Sequence, residues 1–104
     1  MSTCYIKITI QFEEQDDGRW TANCVELGTA TFGKSLQEAA ININEAISLH
    51  LNTLEDVGER ERFFKENDIA LLEKKERFAE INAPTNPRVF VRPQFYPVRH
   101  VTAC

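Results

Sequence analysis

Four acidic side chains, Glu13, Glu14, Asp16 and Asp17, are clustered around the turn EEQDDG near the start of the chain. Carboxylates that converge in a cleft can bind a metal ion or act as a general acid and base. These four instead flank an expected hairpin tip that ends in a glycine, where water solvates them. We therefore expect no metal site, no catalytic site and no cofactor here.

The other residues with catalytic or metal-binding chemistry stand alone. His50 and His100 have no partners at a spacing that supports catalysis or metal binding. The strand parity of Cys24 points it inward, as a small buried hydrophobe. Cys4, Cys24 and Cys104 are odd in number and widely spaced, which predicts free thiols in the cytoplasm. We expect a protein that is not an enzyme, and a vestigial metal-dependent nuclease is disfavoured because no carboxylate set converges.

Arginines and aromatic residues alternate in the last part of the chain. Arginines contact phosphates and aromatic rings stack on bases, so this strip is the best local indication of nucleic-acid binding. It equally fits an edge strand that docks on an acidic partner subunit. Nucleic-acid binding without a partner is disfavoured, because no helix-turn-helix pattern appears and no helix follows this strand. The strip contains Arg88, Phe90, Arg92, Phe95, Tyr96 and Arg99.

Size and charge restrict the class of protein. The 104 residues are 42% hydrophobic and 27% charged, which is typical of one globular domain. The formal net charge is −4, and because three arginines and no acid follow Pro87, the first 87 residues carry −7. No apolar run approaches the ~20 residues of a membrane helix, and the start of the chain lacks a signal-peptide pattern. We expect a cytoplasmic protein that does not bind membranes.

The elements that position these residues can be located from periodicity. Apolar side chains alternate strictly from Cys4 to Phe12, which predicts a half-buried strand. A second strand over Arg19–Val25 and a short third strand over Thr29–Phe32 follow with short connections. These three strands are expected to form an antiparallel meander.

A helix covering this sheet is predicted next. Ser35 and Glu38 form a capping box, and Gly58 is a plausible stop. An apolar stripe then recurs at three- and four-residue steps. Its members are Leu36, Ala40, Ile43, Ile47, Leu51 and Leu54.

The rest of the chain is patterned less clearly. The stretch ERERFFKEN predicts a short helix that buries Phe63 and Phe64, and residues 69–72 fit either strand or helix. The charged segment that follows has Phe78 and Ile81 as its only sizeable anchors. The β-branched and aromatic residues of the C-terminal stretch predict a strand. Two prolines, which cannot donate to a ladder, confine that strand to an edge.

The predicted fold is therefore α+β, with the order β-β-β-α-β, a short second helix and a C-terminal edge strand. We divide the chain into a domain over residues 1–72 and a charged segment with the last strand over residues 73–104. That strand packs on the same domain or on a partner subunit. A small domain with an edge strand is expected to form homo-oligomers, by sheet extension or by exchange of the last strand.

The segment DGRWTANCVELGTATFGKSLQEAAININEAISLHL resembles the HicB-like antitoxin domain. The matching motifs are the turn and strand at 17–22, the corner CVEL at 24–27, the helix start GKSLQEA at 33–39 and the helix centre EAI at 45–47. The similarity covers about residues 5 to 70, and the chain is most like the short, solitary members of that family. The resemblance implies a partial ribonuclease-H-like fold without that enzyme's catalytic carboxylates.

The resemblance also implies a partner, a small HicA-type mRNA-cleaving toxin whose active face the domain occludes. Such a toxin presents a basic surface to RNA, towards which an acidic domain is steered. We expect two groups of residues to contact partners. The first is acidic and consists of Glu13, Glu14, Asp16, Asp17, Glu55, Asp56 and Glu59. The second is the C-terminal strip, in particular Arg88, Arg92, Phe95, Tyr96 and Arg99. The alternatives are a nucleic-acid-binding module that uses the C-terminal strip and a solitary oligomeric protein with no toxin partner.

Overall fold

An antiparallel sheet of four strands forms the centre of the molecule. The computed structural model describes residues 2–73 and 88–101. The strands are β1 (Ser2–Glu14), β2 (Trp20–Cys24), β3 (Thr29–Gly33) and β4 (Val89–Val101), and the helices are α1 (Leu36–Asp56) and α2 (Arg60–Glu66). The strands lie in the order β3-β2-β1-β4. The predicted α+β fold, with its meander, covering helix, short second helix and C-terminal edge strand, is confirmed.

The two faces of the sheet differ in burial. Ile6, Ile8, Ile10 and Phe12 of β1 have no exposed surface, whereas Lys7 and the other odd-numbered residues between 3 and 13 are exposed or half-buried. This alternation follows from the two-residue repeat of a strand. The buried side chains pack against Ala39, Ile43, Ile47 and Leu51 of α1 and against Ala22 and Cys24 of β2. The core therefore lies between α1 and one face of the sheet.

The capping box at the start of α1 is present. The Glu38 amide donates to Ser35 Oγ at 3.1 Å. The Glu38 carboxylate accepts from the Lys34 amide at 3.3 Å, one residue before the expected one. Gly33 ends β3 directly beneath this turn, and a Cβ there would lie 2.4 Å from the Ala39 nitrogen. Only glycine allows the strand and the helix to approach this closely.

The last strand pairs with its own chain, along the side of β1 that β2 does not occupy. Arg92 lies opposite Ile10, Pro93 opposite Thr9 and Pro97 opposite Tyr5. Both prolines take the positions at which the missing N–H would point away from β1. Within the described ranges β4 is the terminal strand, as the prolines predicted.

Residues beyond α2 contribute one short contact to the sheet. The Leu72 and Tyr5 backbones exchange two hydrogen bonds of 2.8 Å in an isolated antiparallel bridge. Phe78 and Ile81, the expected anchors of the charged segment, lie outside the described residues. The division into residues 1–72 and 73–104 stays a prediction, although β4 and the first domain share one sheet.

The cysteines differ from the expectation. Cys24 is a buried free thiol, as expected. Cys4 is disulfide-bonded, so the expectation that all three cysteines are free is wrong for Cys4. Cys104 lies outside the described residues.

No helix in the described part of the chain has the length and apolar character needed to cross a membrane.

Candidate functional site

The acidic turn between β1 and β2 contacts the start of β4. The Arg88 guanidinium lies 3.5 Å from the Glu14 carboxylate and 3.2 Å from that of Asp16. The Glu14 amide also donates to the Arg88 carbonyl at 2.7 Å. Two groups that the sequence placed in separate candidate surfaces therefore meet, and Arg88 offsets one of the two negative charges of Glu14 and Asp16. They line a shallow cleft of roughly 190 Å³ together with Glu13, Gln15 and Val89.

Asp17, a further acid of the turn, pairs with Arg19. The Arg19 backbone N–H and its guanidinium donate to Asp17, at 3.1 and 2.7 Å. These two bonds lower the pKa of the Asp17 carboxyl below its usual 3.8. The same guanidinium lies 5.8 Å from the centre of the exposed Phe32 ring. Asp17 is thus engaged in shaping the turn.

The C-terminal strip is not a single surface, because its side chains point to both faces of the sheet. Phe90 stacks on Phe12, with ring centroids 5.1 Å apart, and Arg92 lies 5.2 Å above the same Phe12 ring. The Tyr96 hydroxyl forms a hydrogen bond with Ser48 of α1. Phe95, one residue away from Tyr96, lies on the opposite face. Arg99 belongs to β4, but its side chain is outside the described part of the structure.

A cleft of roughly 300 Å³ lies where α1 and α2 meet β4. The Arg60 side chain closes one end and is only 6% exposed, with its guanidinium 3.4 Å from the carboxylates of Glu55 and Glu61. A buried cation needs such partners to offset its desolvation. The sequence pattern did not predict that Arg60 is buried, because the residues around it belong to α1, α2 and β4. We interpret this cluster as the structural junction of α2 with the domain.

The outward face of α1 forms a surface of which the sequence analysis had named only Asp56 as a partner contact. Six exposed residues follow one another at three- and four-residue steps, so they form one stripe along the helix. Two of them are large and apolar, Ile41 at 58% and Leu49 at 69% exposure. We call this surface the outer stripe, and it consists of Glu38, Ile41, Glu45, Leu49, Asn52 and Asp56.

The outer stripe is acidic without local compensation. The whole of α1 contains no lysine or arginine. Asp56 stands in the last turn, where the negative end of the helix dipole disfavours an acid, and no described cation pairs with it. Ile41 and Leu49 lie about two helical turns apart on this acidic face, with Glu45 between them, and they supply its apolar surface. A sequence signal existed, since Ile41 and Leu49 are eight residues apart and out of phase with the core stripe.

The described histidine and cysteine side chains can be placed individually. Between residues 2 and 73 and between 88 and 101, no group of three His, Cys, Asp or Glu side chains could hold a metal ion. Burial raises the pKa of the Cys24 thiol, which opposes a role as a nucleophile. His50 bonds Thr29 Oγ1 through Nδ1 at 2.9 Å and contacts the Phe63 ring edge-on. These contacts give His50 a structural place between β3, α1 and α2.

Fold and surface together define an α+β domain in which one helix covers a four-stranded antiparallel sheet and turns an acidic, partly apolar face outward. The chain belongs to a family of unknown function, DUF7387, whose sequence profile matches residues 7–81. Comparison with curated proteins and with solved structures gave no match. The HicB-like resemblance therefore stays a prediction.

Proposed function

We propose that the protein is a cytoplasmic binding domain of the HicB-like antitoxin type, which covers the basic active face of a small HicA-type mRNA-cleaving toxin. The observation that carries this proposal is the outer stripe of α1. It combines two exposed aliphatic side chains, Ile41 and Leu49, with three carboxylates and no lysine or arginine. A partner that fits it has a basic surface with an apolar centre.

Two further features support the proposal. The order of elements is the one that the HicB-like resemblance implies. Arg88 and Arg19 offset two of the four negative charges of the β1–β2 turn, whereas no described lysine or arginine pairs with the three acids of the outer stripe. A ribonuclease must present cations to RNA, and an acidic helix that covers those cations blocks the substrate without any chemistry of its own.

The proposal changes which residues are expected to contact the partner. Of the predicted contact residues, Glu14, Asp16 and Arg88 pair with one another at the surface, and Tyr96 bonds α1. Glu13 has no ion pair among the described residues and can still contribute at the rim. We place the centre of the interface on Ile41 and Leu49, because large side chains at the centre of an interface contribute most of its binding energy.

The test is inhibition of RNA cleavage by a purified HicA-type toxin, for which a small basic protein encoded beside this chain is the first candidate. We expect the full-length protein to stop cleavage at a ratio of one chain to one toxin, and to rescue growth on co-expression. The double variant Ile41→Ala/Leu49→Ala should raise the inhibition constant by about tenfold or more. Val25→Ala is the matched control, because Val25 is 55% exposed but lies in the β2–β3 corner.

Two results would contradict the proposal. If the toxin cleaves RNA at full rate in the presence of excess protein, the proposed antitoxin function is wrong. If the double variant inhibits as well as Val25→Ala does, the outer stripe is not the surface that binds the toxin.

A further inference from the structure

The two edges of the sheet are protected very differently. The outer side of β4 carries Pro93 and Pro97, which remove two donors from that edge. The sequence of β3, TATFG, has no charge and no proline, and its register with β2 is regular. Proteins normally block an exposed strand edge with such devices, because an unblocked edge is a template for another strand. The β3 edge has neither proline nor charge, and a single side-chain hydrogen bond from Asn42 reaches it, so its exposure requires an explanation.

Two residues of β3 direct their backbone groups away from the sheet. Ala30 and Phe32 lie opposite Asn23 and Thr21, whose own backbone groups are directed to β1. The N–H and C=O groups of Ala30 and Phe32 therefore point outward, and no other described strand pairs with them. The Phe32 carbonyl accepts one hydrogen bond, from the Asn42 side chain at 2.9 Å. A carbonyl oxygen has a second lone pair, so it can still accept from an added strand.

We propose that the β3 edge is a homodimer interface, in which β3 pairs antiparallel with β3 of a second copy about a twofold axis at Thr31. In this register, Ala30 and Phe32 of each copy exchange backbone hydrogen bonds with Phe32 and Ala30 of the partner subunit, four bonds in all. The inference is independent of the proposed toxin partner.

The side chains make this pairing self-complementary. Ala30 and Phe32 project from the same face of the sheet, away from α1, and the Phe32 ring is 61% exposed. The twofold axis sets the large ring of one copy opposite the small Ala30 of the partner subunit, and it does so twice. The two rings also lie on the diagonal, within the reach of aromatic side chains.

Charge favours a second copy as the occupant. Each chain carries −4, so most surfaces of two copies repel each other. The residues of β3 carry no charge, and the Arg19 guanidinium beside Phe32 is paired with Asp17, so two copies can meet there with little like-charge repulsion. The dimer is one continuous sheet with both α1 helices on the same face, and it presents two outer stripes in one direction.

A disulfide engineered at the axis tests the register. Thr31 of the two copies forms a pair without backbone hydrogen bonds, whose Cα atoms lie about 4.5 Å apart. That distance suits a disulfide. We expect Thr31→Cys to give a covalent dimer on a non-reducing gel, at a level well above the wild type. Thr29→Cys is the matched control, because each Thr29 lies opposite Gly33 of the partner subunit and the two new thiols are far apart.

Charge substitutions test the interface without cross-linking. The wild type should show a solution mass near twice 11.9 kDa by light scattering. Phe32→Lys places like charges at the axis and should raise the dimer dissociation constant by at least about tenfold. Ile41→Lys makes the same charge change at a similarly exposed position on α1 and should remain dimeric. Ala30→Pro removes only an outward donor and should also weaken the dimer, while circular dichroism confirms that each variant is folded.

A monomeric wild type overturns the proposal. It does so even if a strand of another protein pairs with β3, because the proposed occupant is a second copy of this chain. A dimer that persists in folded Phe32→Lys and Ala30→Pro, with no excess cross-linking of Thr31→Cys, places the interface elsewhere and overturns it as well. Loss of toxin inhibition in Ile41→Lys with an intact dimer would separate this interface from the proposed partner surface.

Discussion

The contact between Gly33 and the start of α1 makes Gly33→Ala the sharpest test of the packing. A Cβ at position 33 would lie 2.4 Å from the Ala39 nitrogen and 2.8 Å from the Glu38 carbonyl carbon. Both neighbours are backbone atoms in the first turn of α1, so no side chain can rotate away. The helix must move by about 1 Å, the difference between 2.4 Å and the 3.4 Å at which ordinary contact begins.

The cost follows from two effects. Overpacking that forces a backbone shift costs about 1–3 kcal/mol. The same shift pulls the Glu38 amide away from Ser35 Oγ, and losing an N-cap costs about 1 kcal/mol. We expect the free energy of unfolding to fall by about 2–4 kcal/mol, a large part of the roughly 5–15 kcal/mol of a typical domain.

Urea denaturation of the full-length chain, followed by helical circular dichroism and by Trp20 fluorescence, measures this change. Gly18→Ala is the comparison, because nothing lies within 4 Å of its added Cβ and only its φ of +88° is strained. Gly18→Ala should cost about 1–2 kcal/mol and leave the start of α1 in place. The reasoning is refuted if Gly33→Ala unfolds at the wild-type urea concentration, or if it is less destabilising than Gly18→Ala.

Three further predictions concern stability and reactivity. Ile47→Ala should destabilise the fold by about 2–5 kcal/mol, because Ile47 has no exposed surface, whereas Ile41→Ala on the same helix should change it by less than about 0.5 kcal/mol; equal effects in thermal unfolding would contradict the assigned helix faces. The pKa of Asp17 is lowered on folding, so its stabilising contribution is present above pH 3.8 and is lost as the pH falls through the folded pKa; Asp17→Asn should therefore show a smaller loss of stability between pH 5 and pH 2 than the wild type. Burial raises the pKa of the Cys24 thiol, so Cys24 should resist alkylation at pH 8 in the folded protein and react after denaturation, as peptide mass mapping would show; fast labelling of native Cys24 would disprove its burial.

Much of the fold could be read from the sequence because each element carries its own pattern. Strict alternation over Cys4 to Phe12 reports the buried face of β1, since successive strand residues point to opposite faces. The capping box at Ser35 and Glu38 marks the start of α1. Pro93 and Pro97 identify an edge strand because they cannot donate. None of these signals depends on the rest of the chain.

The candidate site was harder to predict because exposure depends on what covers each element. The sequence named Glu14, Asp16 and Arg88 as candidates for partner contact without showing that they meet, and the structure brings them together in exposed ion pairs. The Asp16 and Arg88 side chains that bond at 3.2 Å are 72 residues apart in the chain. No local pattern reports a contact of that separation, since it depends on which strand pairs with the open side of β1.

The sequence by itself determined the elements, their order and the faces that each must bury. Tertiary structure alone decided which remaining surfaces stay exposed. Periodicity already separates Ile43, in the core stripe, from Ile41, but only the packing shows that Ile41 is left 58% exposed among the described residues. The edge of β3 likewise became a candidate interface only once β4 had paired with β1 and left β3 at the other end of the sheet. Periodicity shows which face of an element must be buried, and only the packing of the elements shows which side chains remain exposed to a partner.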